Sequence, residues 1–373
     1  MKLPTISYLT DIHLGAGVVQ SLAEFLQDSG IHRPLVVTDT VLLELGMVER
    51  LGIPSPVVFS NVRTNPHEAD VLAGLAVYRA ERCDGIVALG GGSPIDCAKC
   101  VSLLATHSGS LEEYALIRNG VTRITANKPP VIAVPTTAGT GSEVGRAALV
   151  TTASGRKLGF ISPYMIPTSA WCDPELTLDL PATLTAATGM DAISHCVETF
   201  CSPKYNPVAD AIALDGLARA WTNLPQAVHQ PRQIEFRHEM MVAAFQGALA
   251  FQKGLGLIHS LSHPLGALDK QLHHGTLNAV FLPHVIRHNH SFCSDRIQQM
   301  GKAIGTGRTS EDVANAFSHL NRQLNLPATL SDMGVTKDDL KGIAEAAVED
   351  HSSPTNPGPV TLEVCQELLA AAL

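Results

Sequence analysis

The sequence predicts an α/β first half built on a parallel Rossmann-like sheet, followed by an all-α second half. Three short apolar runs at 35–38, 86–89 and 131–134 each end in polar or glycine-rich sequence. Apolar runs that alternate with helical patterns are typical of parallel strands joined by crossover helices. After about residue 180, apolar residues recur at helical spacing instead. We therefore expect an α/β domain over 1–179 and a helical domain over 180–373.

The helical spacing of the second half is clearest in DAIALDGLARAWTNLP and HEMMVAAFQGALAFQ. Pro225 closes the first of these segments. Because proline cannot donate the backbone hydrogen bond that a helix interior needs, we expect it to end that helix.

Composition limits the classes of partner. Of the 373 residues 45% are hydrophobic and 16% are charged, which predicts an ordered globular chain. A formal net charge of −9 disfavours nucleic acid and anionic membrane surfaces, so we expect a small-molecule substrate. The chain has neither the apolar core of a signal peptide nor an apolar run long enough to span a membrane, which predicts a cytoplasmic location.

The eight cysteines lack the dense, regular spacing of a disulfide framework. Cys97 and Cys100 do form a CxxC pair, but they follow a glycine loop within a predicted helix. A redox or metal role is the less favoured interpretation, and we expect buried, reduced thiols.

Two polar loops follow neighbouring predicted strands. Gly90, Gly91 and Gly92 come directly after the strand at 86–89, with Ser93 as a candidate helix cap. Bare amides at a helix start suit a pyrophosphate, although an ordinary strand-to-helix turn explains this loop equally well. The loop PTTAGTGSE at 135–143 adds threonines and glycines after a second strand. Two such loops together favour a dinucleotide.

Asp39 closes the first predicted strand. A carboxylate there can accept hydrogen bonds from ribose hydroxyls and repel a 2′-phosphate, which favours NAD over NADP. The same residue could instead begin a helix, and the sequence leaves both interpretations open.

Aspartate and histidine recur at helical spacing in the second half. Asp191 and His195 lie four apart, His259 and His263 repeat that spacing, and LHHG supplies His273 and His274. Residues four apart share one face of a helix. A single histidine of this kind is more often a core residue than a ligand, but the clustering favours a divalent ion. Imidazoles with one carboxylate suit Fe²⁺ or Zn²⁺, and the fourth ligand is either His273 or His274.

Over essentially its whole length the sequence resembles the iron-containing, group III alcohol dehydrogenases. GGGSPID, PTTAGTGSEV, CDPELTLDLP, TGMDAISHCVE and GLIHSLSHPLGA occur in that family's order and approximate spacing. The resemblance implies a dehydroquinate synthase-like architecture and the cofactors NAD and Fe²⁺, with Zn²⁺ as the alternative metal. It also implies a homodimer. For the metal it implies Asp191, His195, His259 and the histidine before glycine, His274, although the family's usual offset from His263 falls on His273.

The same resemblance assigns further roles. It implies that His263 lines the substrate pocket and passes protons during catalysis. It places around NAD the residues Asp39, Asn65, Gly91, Gly92, Ser93, Thr136, Thr137, Thr140 and Lys157.

Within that family the chain is most similar to the 4-hydroxybutyrate dehydrogenases, through FQKGLG, HSLSHPLGAL and LHHGTLNAV. The substrate carboxylate would then need a cation, and Lys253 and Arg146 flank motifs that should border the cleft. Solvated surface charge is the alternative interpretation for both residues.

Two other functions stay open at this point. One is an NAD-using lyase or cyclase of the dehydroquinate synthase type, against which Asp191 counts because that family builds its metal site around glutamate and histidines. The other is a non-catalytic nucleotide-binding scaffold with a structural metal.

Overall fold

The computed structural model describes residues 10–268, 270 and 272–373, which form two compact units. The sheet unit runs to Thr137 and resumes over Gly141–Leu178. The helical unit consists of Ala138–Thr140 and the described part of Asp179–Leu373. The sheet unit thus ends at Leu178, one residue before the predicted end of the α/β domain at 179. The grouping of Ala138–Thr140 with the helices was not predicted.

The sheet unit is built on six parallel strands in the order β1-β8-β5-β4-β2-β3, and it also has a separate antiparallel pair, β6 and β7. The predicted parallel sheet is confirmed. The strands are β1 (Asp11–Leu14), β2 (Pro34–Val37), β3 (Val57–Phe59), β4 (Gly85–Gly90), β5 (Val131–Pro135), β6 (Ala147–Thr151), β7 (Lys157–Ile161) and β8 (Ser169–Cys172).

Both faces of the central strands are buried. In β4, Ile86 and Ala88 pack into one apolar cluster, while Val87 and Leu89 pack into another. Successive side chains of a strand point to opposite faces, so a strand covered on both sides needs an unbroken apolar run. For this reason the apolar runs at 35–38, 86–89 and 131–134 predicted the positions of β2, β4 and β5.

The described residues form twelve α-helices, of which the first four belong to the sheet unit and the other eight to the helical unit. They are α1 (Leu22–Asp28), α2 (Thr40–Glu44), α3 (Glu68–Ala80), α4 (Gly92–Thr106), α5 (Ala182–Cys201), α6 (Pro207–His229), α7 (Ile234–Leu249), α8 (Leu257–Gly266), α9 (His274–Ala303), α10 (Ser310–Gln323), α11 (Ile343–Val348) and α12 (Leu362–Ala372). In the helical unit the described residues contain no strand, as the all-α prediction requires. Helix α9 is kinked at Cys293, where φ is −147° and ψ is 39°.

Helix α5 forms the centre of the helical unit. It is buried from Thr185 to Cys201 and packs against α6, α7 and α9. A helix that is apolar or small on every side can be enclosed in this way. Its polar residues must therefore find partners inside the protein.

The prediction that Pro225 ends a helix is wrong. Helix α6 continues through Pro225 to His229. The proline forgoes one backbone hydrogen bond, and the last turn is retained because Ala227 and Val228 pack into the apolar core.

Cys97 and Cys100 lie buried in α4, and all eight cysteines have free thiols. Burial raises the pKa of both thiols well above the ordinary value of a cysteine, and neither side chain reaches solvent. They are packing residues of the helix.

No single helix in the described part of the chain is long and apolar enough to cross a membrane. Among the same residues, one pair of helical segments, Ile234–Lys253 and Leu257–Gly266, reaches that length and apolar content together, but the pair is bent by 106°.

Candidate metal and dinucleotide sites

Helix α5 presents two of the predicted metal ligands one turn apart. Asp191 Oδ1 lies 3.4 Å from His195 Nε2, and the two residues are only 3% and 4% exposed. Burial lowers the pKa of His195 to about 4. A neutral imidazole beside a carboxylate is the form that binds a cation.

Helices α8 and α9 bring two further imidazoles to the same carboxylate. His259 Nε2 lies 3.7 Å and His274 Nε2 lies 3.6 Å from Asp191 Oδ1. Two donors that each lie about 2.1 Å from a tetrahedral ion are about 3.4 Å apart, so these separations suit one metal ion. Asn278, one turn after His274, donates its side-chain amide to Asp191 Oδ1 at 2.8 Å.

The electrostatics of this cluster favour a cation. Burial alone would raise the pKa of the Asp191 carboxyl, but His195, His274 and His259 hold it well below its usual range. Burial alone would lower the pKa of His259, whereas the Glu198 and Asp191 carboxylates raise it to about 9. An incoming metal ion must therefore displace a proton from His259 at neutral pH.

Of the two adjacent histidines, His274 faces Asp191. His273 is the residue that precedes α9, and its backbone carbonyl accepts the amides of Thr276 and Leu277. The buried Nδ1 of His273 has no hydrogen-bond partner among the described residues. The geometry therefore supports the assignment of His274 as the fourth ligand, which stays a proposal.

Gly275 allows α9 to approach α5 closely enough to align His274. A Cβ atom at this position would lie 2.0 Å from the Ala187 carbonyl oxygen and 3.2 Å from Asp191 Cβ. The contact is with backbone, so relief would require one helix to move.

Gly275→Ala is therefore expected to destabilise the protein by about 1–3 kcal/mol and to weaken metal binding. Thermal unfolding and titration with Zn²⁺ would measure the two effects. Gly266→Ala at the end of α8 is the control, because a Cβ there meets nothing within 4 Å. Equal behaviour of the two variants would show that the close approach does not position His274.

His263 lies one turn after His259 on α8, and its Nδ1 lies 2.9 Å from Asp350 Oδ2. Its ring is stacked between those of His274 and His351, with centroids 5.3 and 5.2 Å away. Burial lowers the pKa of His263. The ring is thus held in one orientation beside the four candidate ligands.

In the sheet unit, the glycine loop turns from β4 into α4. Gly90 has φ of +147°, and a Cβ there would lie 2.6 Å from Pro94 Cγ, so only glycine fits. Helix α4 has no acidic residue in its first turn and no side-chain cap. Its first amides are therefore suited to bind a phosphate group.

Ser93 is not the cap that the sequence predicted. Helix α4 begins at Gly92 with Gly91 before it, and Ser93 Oγ accepts the backbone amide of Asn65 at 3.1 Å. Asn65 Oδ1 in turn accepts Lys157 Nζ at 2.8 Å. Three of the predicted NAD residues, far apart in the sequence, are thus in contact.

The other predicted NAD residues are more dispersed. Thr136 is buried and donates its amide to the Gly90 carbonyl, and the Thr137 side chain lies beside Gly91. Asp39 caps α2 by accepting the Leu42 amide at 2.9 Å, which is the second of the two roles left open for it. Thr140 groups with the helical unit.

Comparison with known proteins identifies the family. The model described as "Iron-containing alcohol dehydrogenase" matches residues 10–174, and that described as "Fe-containing alcohol dehydrogenase family, C-terminal" matches residues 185–373. The chain belongs to the iron-containing alcohol dehydrogenase family. The resemblance noted in the sequence is confirmed, and the chain is an oxidoreductase of this family.

Individual relatives cover nearly the whole chain. A 4-hydroxybutyrate dehydrogenase from Cupriavidus necator is 49% identical over 365 residues, which span 94% of this chain and 95% of that protein. A crystal structure of 1,3-propanediol oxidoreductase superposes with a TM-score of 0.93 at 35% identity, covering 99% and 100% of the two chains.

Sulfoacetaldehyde reductase from Bifidobacterium kashiwanohense, solved in complex with NAD⁺, has a TM-score of 0.90 at 27% identity and covers 100% and 99% of the two chains. These three relatives are all named as oxidoreductases. The lyase and scaffold alternatives therefore gain no support from them.

The prediction that Lys253 binds a substrate carboxylate is wrong for this family member, and so is the alternative of a solvated surface charge. Lys253 is fully enclosed, and its ammonium group is paired with Asp210 and donates to the Phe200 carbonyl at 3.2 Å. A buried ammonium group that is already paired with a carboxylate is not accessible to the carboxylate of a substrate.

Arg146 differs from Lys253 in having no such partner. It is half-buried, and within the described part of the chain its guanidinium makes no ion pair or hydrogen bond. Burial lowers its pKa, and no carboxylate offsets this effect. Such a group would gain from binding an anion.

Sequence reasoning overlooked three side chains around the candidate ligands: Glu198, Asn278 and Asp350. Glu198 follows Asp191 by seven residues and His195 by three on α5, so helical spacing alone placed it on the ligand face. Asp350 lies 87 residues from His263, and no local pattern connects the two.

Proposed function

We propose that this protein interconverts a primary alcohol and its aldehyde, with NAD as hydride acceptor or donor and a divalent metal, Fe²⁺ or Zn²⁺, as Lewis acid. The observation that carries the proposal is the convergence of three imidazoles on one carboxylate. The Nε2 atoms of His195, His259 and His274 lie 3.4–3.7 Å from Asp191 Oδ1. Family membership supports the same reaction class.

Asp191, His195, His259 and His274 would hold the metal. When bound, the metal polarises the substrate oxygen and lowers the pKa of an alcohol hydroxyl. Asp191, His195 and His259 are buried, which would strengthen their interaction with the ion, whereas the His274 side chain is 27% exposed.

His263 would transfer the hydroxyl proton. Its Nδ1 is engaged by Asp350, so Nε2 is the ring atom available for exchange. The sheet unit would hold NAD through the α4 amides, Asn65, Lys157, Ser93, Thr136 and Thr137. Asp39 would accept from the ribose through the carboxylate oxygen that does not cap α2.

The experiment that tests this proposal is an activity screen with NAD after anaerobic reconstitution with Fe²⁺. Primary alcohols and ω-hydroxy acids are supplied in turn, and NADH absorbance is followed. Steady accumulation of NADH supports a dehydrogenase. Product formation without net NADH would indicate a lyase, and the absence of any reaction would contradict the proposal.

For the substrate, we propose 4-hydroxybutyrate or a related ω-hydroxy acid. The 49% identity to a protein named 4-hydroxybutyrate dehydrogenase supports this choice. Arg146, a half-buried cation that pairs with no described carboxylate, is the remaining candidate for binding the substrate carboxylate.

Arg146→Ala is expected to raise the KM for 4-hydroxybutyrate roughly 10- to 100-fold, since a hydrogen bond to a charged group contributes about 1.5–3 kcal/mol. The KM for butanol should stay unchanged, because butanol has no carboxylate. Steady-state kinetics with both substrates measure the difference. Arg156→Ala, an exposed arginine at the turn between β6 and β7, is the control. An unchanged KM for 4-hydroxybutyrate would exclude this role for Arg146.

A further inference from the structure

Helix α8 carries two histidines whose ring nitrogens have different tasks. His259 is a candidate metal ligand, and His263 is the candidate proton carrier. An imidazole binds a metal or accepts a proton only through a nitrogen whose lone pair is free, so the position of the ring proton decides which atom acts. Neighbouring groups therefore control both functions.

Glu198 holds the ring of His259 from α5. Its Oε2 lies 2.6 Å from His259 Nδ1, and its Oε1 accepts the backbone amide of Ile258 at 2.6 Å. Glu198 is only 5% exposed, so water does not replace either contact. One oxygen thus fixes the helix backbone, and the other fixes the imidazole.

Asp350 repeats this arrangement for His263. Its Oδ2 lies 2.9 Å from His263 Nδ1, and its Oδ1 accepts the backbone amide of Ser352 at 2.8 Å. The side chains of His263 and Asp350 are about nine-tenths buried, at 10% and 11% exposed. Two carboxylates from different parts of the chain therefore contact the two histidines in the same way.

Each of these carboxylates faces two donors, a backbone N–H and an imidazole Nδ1. An ionised carboxylate can accept with both oxygens at once, whereas a protonated carboxyl group donates from one oxygen and an amide has a single accepting oxygen. The ring proton must then lie on Nδ1. Nε2 is left as the atom that binds a metal in His259 and exchanges a proton in His263.

We propose that Glu198 and Asp350 are positioning residues that fix the Nδ1–H form of His259 and His263, Glu198 for metal affinity and Asp350 for turnover. The Asp350 half rests on the proposed function, because it presupposes that His263 carries the proton. The Glu198 half rests only on the candidate metal site.

Glu198→Gln keeps the size of the side chain but places an amide nitrogen against either Ile258 N–H or His259 Nδ1. Zn²⁺ affinity, measured by competition with a chelator, is expected to fall roughly 10- to 100-fold. The kcat at saturating metal should change less than the affinity. Glu198→Asp keeps two accepting oxygens on a shorter side chain. Its Zn²⁺ affinity should lie between those of Glu198→Gln and the unmodified protein.

Asp350→Asn is expected to show the opposite pattern. Zn²⁺ affinity should stay within about threefold of the unmodified protein, because His263 is not a proposed ligand. The kcat should fall at least about tenfold, since loss of an orienting carboxylate leaves a catalytic imidazole in the wrong tautomer. Glu349→Gln, the exposed neighbour of Asp350, is the matched control for both variants.

Thermal unfolding of the metal-free variants separates positioning from folding. A folded Glu198→Gln protein with unchanged Zn²⁺ affinity, or a folded Asp350→Asn protein with unchanged kcat, would overturn the corresponding half. Affinity and kcat that fall together in both variants, in step with lost stability, would overturn both halves. If the unmodified protein binds no Zn²⁺, the proposed function fails. If the unmodified protein binds Zn²⁺ but no more tightly than Glu198→Gln, only the positioning role of Glu198 fails.

Discussion

Asp191→Asn is expected to abolish stoichiometric metal binding and to lower kcat/KM by about a thousandfold. The carboxylate is the one anionic group among the four candidate ligands, and its Oδ1 lies 3.4–3.7 Å from the Nε2 atoms of the three histidines. Loss of a Lewis acid removes several kcal/mol of stabilisation, and each 1.36 kcal/mol is tenfold in rate. Metal content after reconstitution and steady-state kinetics measure the two losses.

Asp295→Asn serves as the control for Asp191→Asn, since Asp295 is an exposed carboxylate on α9 of the same unit. A thermal unfolding curve shows whether the Asp191 variant is still folded. Metal retention in a folded Asp191→Asn protein would contradict the proposed ligand set.

His263→Ala should lower kcat by roughly 10²- to 10⁴-fold, the range that a general acid or base contributes. The metal content and the Kd for NAD should remain unchanged, because His263 is proposed to touch neither the ion nor the dinucleotide. Added imidazole should restore part of the turnover by filling the space between His274 and His351.

The control for the histidine variant is His319→Ala, an exposed histidine on α10. If kcat is unchanged in His263→Ala while metal and NAD are fully bound, the proton has another carrier. Loss of metal together with kcat would instead place His263 among the ligands.

The sequence predicted the parallel sheet because Ile86 and Val87 face opposite apolar clusters, a burial that leaves a continuous apolar run. It predicted the convergence of Asp191 and His195 because helical spacing determines which side chains share a face. It did not predict the β6–β7 pair, whose residues alternate between buried and partly exposed along both strands. Cytoplasmic location and the homodimer stay predictions.

Errors arose where the outcome depended on distant residues. Lys253 is paired with Asp210, 43 positions away in the sequence. Ser93 lies inside α4, which begins at Gly92, and its Oγ accepts the backbone amide of Asn65. Pro225 remained inside α6 because the following turn is buried against the core. No local pattern carries such tertiary information.

Because Ala138–Thr140 group with the helices, the helical unit cannot be obtained as one continuous gene fragment that begins at Asp179. A Cβ at Gly139 would lie 2.5 Å from the Thr188 carbonyl oxygen, so this short segment lies tightly against α5. A gene fragment that began at Asp179 would lack these three residues and leave that side of α5 uncovered. A helical half transferred to another protein would therefore need a matching segment from within the sheet half.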